Sequence, residues 1–274
     1  MATITASDVN KLRKQTGAGM MDCKKALTEA NGDFDEAISI LRKKGQKVAA
    51  KRAERETSEG CALAATNDDN TFGAVVALSC ETDFVAKNDD FVALTQRILN
   101  VAMENKPADA EALKALAFEG DVTIGDKIIE QNGVIGEKIE LAAYETVDAP
   151  FVSFYVHMNN KIATVVGLNE EAEEAAKDVA MQAAAMNPVA LNRDSVPQDV
   201  IEKELEIGKE LARQEGKPEE MLDKIAQGRL NKFFKESTLV DQDFIKDGKL
   251  SVAKYLDSVK KGLHITNYKR VALG

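Results

Sequence analysis

Side chains able to do chemistry are few in this chain and none are grouped. Of 274 residues only two are His and three are Cys, and Trp is absent. Cys23, Cys61 and Cys80 lack the paired spacing of a zinc or redox motif. A lone Ser or Cys with two distant histidines makes no nucleophile, base and orienter set. The segment GVIGEK at 133–138 has two glycines but neither the Walker spacing nor the Lys-Ser/Thr ending that cradles nucleotide phosphates. No G-x-G-x-x-G opens a helix. Carboxylates are plentiful, but in a chain 30% charged they serve first as solvated helix faces. The reading is a protein that is not an enzyme and takes no cofactor or metal.

Contact chemistry remains. In CETDFVAKNDDF, residues 80–91, Phe84 stands beside Asp83 in a polar turn. The run FGAVVAL before it reads as a buried strand, and DFVALTQRILNVA after it as an amphipathic helix. Phe84 is either a plug beneath that helix or a side chain offered to a partner. Met20 and Met21 follow a break at Gly17 and Gly19; they either close the top of a small bundle or form an adaptable contact surface. His157 lies in the alternation Phe154-Tyr155-Val156-His157, where it reads as an exposed strand residue.

The elements that must hold these residues are legible in turn. Residues 1–55 read as three short helices. Ser7 or Asp8 is placed to cap the first, which carries Val9 and Leu12. The second runs from about Asp22 to Ala30. Asp33 caps the third, with Glu36 set for a capping box. Phe34, Ala37, Ile38 and Leu41 form its apolar face. Seven of the fourteen residues in 42–55 are Lys or Arg. They read as a helix C-terminus, where cations suit the dipole, running into a solvated connector; the other reading is a contact with an acidic partner.

The middle alternates strands and helices. Two strands flank Asn67–Asn70, and a helix carries Phe91, Leu94, Ile98 and Val101. Further helical stretches lie near 108–118 and up to Asn132, before three strands. The last two strands join as a hairpin at Asn159-Asn160. An Ala-rich helix spans Glu170 to Met186 and stops before Pro188. Helices with Ile201, Leu205, Gly208 and Ala212, and with Leu222, Ile225, Leu230 and Phe233, flank GKP at 216–218 as an antiparallel hairpin. A short helix near 249–261 and a strand, HITNYKRVAL, close the chain. The fold class is α+β.

The net charge of −10 argues against direct nucleic-acid binding. No apolar run is long enough to span a bilayer, and the first residues lack the apolar stretch of a signal peptide. The expectation is reduced cysteines in a cytoplasmic protein with no membrane partner.

Four stretches together resemble one family. LRKQTGAGMMDCKKALTEANGD (12–33) and CETDFVAKN (80–88) resemble the two signatures of the elongation factor Ts family. SFYVHMNNKIATVV resembles its partner-contacting strand pair, and GKPEEMLDKIAQGRLNKFF its coiled-coil hairpin. The matches keep the family's order along nearly the whole chain. The run Ala77–Glu81 departs from the Glu-Val-Asn-Cys-Gln type of many members. The sequence ends at Gly274, where some members continue into another partner-contacting helix. The resemblance implies a guanine-nucleotide exchange factor for the GTPase elongation factor Tu, in translation elongation. It implies a ubiquitin-associated-like domain over 1–55 and a core of two α+β parts, 56–150 and 151–189 with 239–274, with the hairpin at 190–238 inserted. It places the element that dislodges Mg²⁺ from the GTPase on Thr82, Asp83, Phe84 and Val85. Further partner contacts fall on Leu12, Met20, Met21 and His157. It allows a homodimer or a 2:2 complex with the GTPase.

Overall fold

The computed structural model describes residues 4–157 and 159–274. The chain begins with α1 (Ala6–Thr16), α2 (Met20–Glu29) and α3 (Phe34–Lys51). Thr5, rather than Ser7 or Asp8, caps α1: its hydroxyl accepts from the Asp8 amide at 3.2 Å, and the Asp8 carboxylate accepts from the Thr5 amide at 3.0 Å. The box needs a hydroxyl three residues before a carboxylate, and Thr5-Ala-Ser-Asp8 supplies it. Gly17, at φ 72°, ends α1 in the left-handed conformation that a Cβ disfavours. Asp33 caps α3 as expected, accepting from the Glu36 amide at 2.9 Å, but the expected box does not close: the Asp33 amide donates to the Ala30 carbonyl at 3.0 Å instead of to Glu36. Leu12, Cys23, Leu27, Ala37 and Leu41 form the bundle core.

After the bundle come β1 (Glu59–Thr66), β2 (Phe72–Cys80), the single turn α4 (Asp83–Ala86), α5 (Asp89–Asn105) and α6 (Ala110–Ala115). A small ribbon, β3 (Ala117–Glu119) with β4 (Val122–Thr123), leads into α7 (Ile124–Ile135) and β5 (Glu140–Asp148). The ribbon lies partly in the stretch read as helix to residue 118. Its strands are too short to show a period, and Gly120 at φ +55° makes the turn. The first sheet runs β1-β2-β5, all antiparallel.

The second half holds β6 (Phe151–Val156), β7 (Ile162–Leu168), α8 (Glu173–Met186), α9 (Gln198–Gln214) and α10 (Leu222–Ser237). It ends with β8 (Asp243–Phe244), β9 (Asp247–Ser251), α11 (Val252–Val259) and β10 (Ile265–Ala272). The β8–β9 ribbon takes the beginning of the stretch expected to be the last helix. The second sheet runs β10-β7-β6.

The two sheets stack face to face with helices outside. On β2, Phe72, Ala74, Val76 and Leu78 face Phe91, Leu94, Ile98 and Leu99 of α5. The intervening Val75 and Ala77 face Val152, Ala163 and Val165 of the second sheet. Both faces of β2 are therefore buried, which is why its sequence is continuously apolar rather than alternating. On β7, Val166 and Leu168 turn outward against Ala176, Val179 and Ala183 of α8.

The basic run 42–55 is not chiefly a connector. Helix α3 continues to Lys51 and crosses α7 at a pair of glycines. A Cβ on Gly45 would stand 2.5 Å from the Ile129 carbonyl oxygen, and one on Gly133 would stand 2.8 Å from the Gly45 Cα. Here backbone lies on backbone, and the run joins the bundle to the core by packing.

Helices α9 and α10 pack chiefly on each other along Gly208, Ala212, Leu222, Ala226 and Leu230. Their root is laced on both sides: the Val189 amide donates to the Ser237 carbonyl at 2.8 Å, Leu239 to Ala190 at 2.9 Å, and Val240 to Leu191 at 3.0 Å.

Candidate functional site

The segment after β2 has a conflict to resolve. It must leave a buried strand, make one helical turn and enter α5 within a few residues. Thr82 caps the turn, its hydroxyl accepting from the Val85 amide at 3.5 Å. Asn88 caps α5, accepting from the Asp90 amide at 2.8 Å. Ala86 is buried and Val85 packs against the helix-side core. These two point inward, which leaves Phe84 outward and 85% exposed. Phe84 is thus not a plug beneath α5.

Hydrogen bonds from outside hold this turn. The Glu137 carboxylate accepts from the amides of Glu81 and Thr82, each at 3.1 Å, and from the Thr82 hydroxyl at 2.7 Å. In return, the Glu81 carboxylate accepts from the Lys138 amide at 2.7 Å. Arg52, which caps the C-terminus of α3, places one guanidinium nitrogen 2.6 Å and 2.7 Å from the two Glu81 oxygens. Burial pushes the Glu81 carboxyl up, but donation from the Lys138 amide and the Arg52 guanidinium outweighs it and leaves the group below its ordinary range. The Cys80 thiol, buried behind the turn, is pushed up to about 12 by desolvation and then by the Glu137 charge, so it stays a neutral donor to the Thr82 carbonyl at 3.3 Å. Asp83 pairs with Lys87 at 2.6 Å, one turn on. The Lys87 ammonium holds the Asp83 carboxyl below its usual range. The pair is solvated, so exchanging it for another partner costs little.

His157 is exposed in the β6–β7 turn, its Nδ1 3.1 Å from the Tyr155 hydroxyl. That turn docks on the start of β1: the Ala62 amide donates to the Asn160 carbonyl at 2.6 Å, and Lys161 pairs with Glu59 at 2.8 Å. Glu59 is the register partner of Cys80. His157 and Phe84 therefore sit at the same end of the stacked sheets. Met20 and Met21, 58% and 64% exposed, open α2 on the bundle, which has its own apolar core. Leu12 is different. It is fully buried in the bundle core, on the inner face of α1, so in the free chain it lies beneath the surface rather than on it. Arg52, Glu81, Glu137 and Lys138 were invisible as a group in the sequence, because pairs 29 and 55–57 residues apart leave no local pattern.

Phe84 on its anchored turn and Met20 and Met21 at the start of α2 leave large apolar side chains in solvent. The family model described as Elongation factor TS matches residues 81–274, a span that starts at the Phe84 turn. The chain is 60% identical to the elongation factor Ts of Christiangramia forsetii and 56% identical to that of Flavobacterium psychrophilum, in each case over 100% of both chains. It is 41% identical to that of Phocaeicola vulgatus over 98% of both. The chain belongs to the elongation factor Ts family.

Proposed function

We propose that the protein binds the GDP form of elongation factor Tu and speeds replacement of GDP by GTP. The observation that carries the reading is Phe84, exposed on an anchored turn inside the segment that the family shares. In this reading Phe84 inserts among side chains that support the partner's nucleotide-bound Mg²⁺. Mg²⁺ tolerates little distortion of its octahedral shell, so shifting one support loosens metal and nucleotide together. Asp83 leaves Lys87 for groups that the shift frees, and Thr82 and Val85 hold the wedge.

Burying one Phe is worth roughly 1.5–3 kcal/mol. A thousandfold faster release needs about 4 kcal/mol. Phe84 therefore shares the work with Met20, Met21 and His157. Linkage requires that nucleotide weaken the factor as much as the factor weakens nucleotide, so the empty complex is the tight one and GTP releases the factor. No covalent bond changes, so the protein is an exchange factor rather than an enzyme, acting in the cytoplasm.

In the same reading residues 1–55 form the partner-docking domain. The core comprises 56–150 and 151–189 with 239–274, and 190–238 is its inserted hairpin. Release of fluorescent GDP from elongation factor Tu, with and without the protein, tests the proposal. Acceleration that saturates with the protein supports it. Binding without acceleration refutes it and leaves a helical-module adaptor.

A further inference from the structure

We propose that Glu137 is a positioning residue for Phe84: its carboxylate, crossed with that of Glu81, sets the pose of the exchange turn before any partner arrives. The inference rests on the role given to Phe84 above. A helix of one turn cannot hold itself, because nucleation fixes several dihedrals for a single hydrogen bond. Something outside α4 must therefore set where Phe84 points, and the structure shows what does. One Glu137 oxygen takes two consecutive amides, those of Glu81 and Thr82, while the other takes the Thr82 hydroxyl proton. With that proton committed to Glu137, the hydroxyl oxygen is left as the acceptor for the Val85 amide. Glu137 thus assigns donor and acceptor in the cap of α4.

The crossing makes the device two-sided. Residues 81 and 82 donate to Glu137, and residue 138 donates to Glu81. A shift of either segment breaks bonds on both. Arg52 then ties the same Glu81 carboxylate to the end of α3, and the Lys138 ammonium donates to the carbonyls of Ala53 and Arg55 at 2.9 Å and 3.0 Å. Through this junction the bundle bearing Met20 and Met21 and the turn bearing Phe84 hold one relative pose. Ordering is completed in folding, so the partner does not have to impose it on binding.

The test uses the full chain with Glu137→Ala, Glu137→Gln and, as a control, Phe84→Ala. Two readouts are needed: hydrogen exchange at the amides of Glu81 and Thr82 in the free protein, and GDP release from elongation factor Tu across a range of factor concentrations. For Glu137→Ala we expect both amides to exchange at least about tenfold faster, the scale of one lost charged hydrogen bond. The maximal release rate should fall about tenfold, with the half-saturating concentration within about twofold of the parent. Glu137→Gln, which keeps the shape and one acceptor, should fall between, and it carries the test if the alanine variant does not fold. Loosened amides with a parental maximal rate overturn the inference, as do amides that remain protected. If Phe84→Ala releases GDP at the parental maximal rate, the role of Phe84 itself has failed, an outcome separate from either result at Glu137.

Discussion

Replacing Phe84 by Ala separates fold from function on one side chain. With 85% of the residue exposed, the fold holds about 15% of it. Full burial of a Phe is worth roughly 1.5–3 kcal/mol, so truncation should cost the fold only about 0.2–0.5 kcal/mol. In a chain of this size that lowers Tm by about 1–2 °C. The exposed fraction is what a partner can bury, roughly 1.3–2.6 kcal/mol on the same scale. If that burial occurs only as nucleotide leaves, the maximal rate of GDP release should fall about 10- to 80-fold. Stopped-flow release of labelled GDP from elongation factor Tu, with melting curves alongside, gives both numbers. A variant that melts far below the parent yet releases GDP at the parental rate would show that Phe84 supports the core and that the wedge argument is wrong.

Three further outcomes follow from other parts of the molecule. Gly45→Val puts side-chain carbon against the Ile129 carbonyl, where even a Cβ would stand at 2.5 Å, and should cost about 1–3 kcal/mol in denaturant titrations; an unchanged midpoint would mean that α3 does not press on α7. Leu12→Ala should destabilise the bundle by about 2–5 kcal/mol, whereas Met20→Ala and Met21→Ala should weaken partner binding with parental melting; the reverse pattern in calorimetry would return Leu12 to the contact surface. Glu81 titrates below its ordinary 4.5 in the folded chain, so its contribution is whole above that value and is lost as pH falls through the lower folded one; the parent should therefore lose more stability on acidification than Glu81→Gln, and equal losses would deny the shift.

The helices and long strands were legible because burial on one face or on both leaves a periodic or continuous apolar trace. Leu94 and Ile98 show the first, and Phe72–Cys80 the second. The ribbons β3–β4 and β8–β9 were not, since two to five residues carry no period. At the start of α1 the sequence offers Thr5, Ser7 and Asp8 as caps, and only the closing of the box between Thr5 and Asp8 selects Thr5. At the candidate site, Phe84, Met20 and Met21 stood out as apolar residues at turns, yet sequence alone could not say whether they pointed in or out. Glu137 gave no signal, because a surface carboxylate and one that grips three donors 55 residues away are written alike.

The root of the α9–α10 pair has a mechanical consequence. Because the segments entering and leaving the pair are bonded to each other at Val189–Leu191 and Ser237–Val240, neither can swivel alone. The two helices form a cantilever clamped at one end rather than a flail on a hinge. Helix α9 has 17 residues, which at 1.5 Å each make a beam about 25 Å long. A tilt of about 5° at the root would sweep the tip at Gly216 by about 2 Å over that length. Conversely, a load on the tip reaches the body as torque on Thr238 and Leu239, both fully buried.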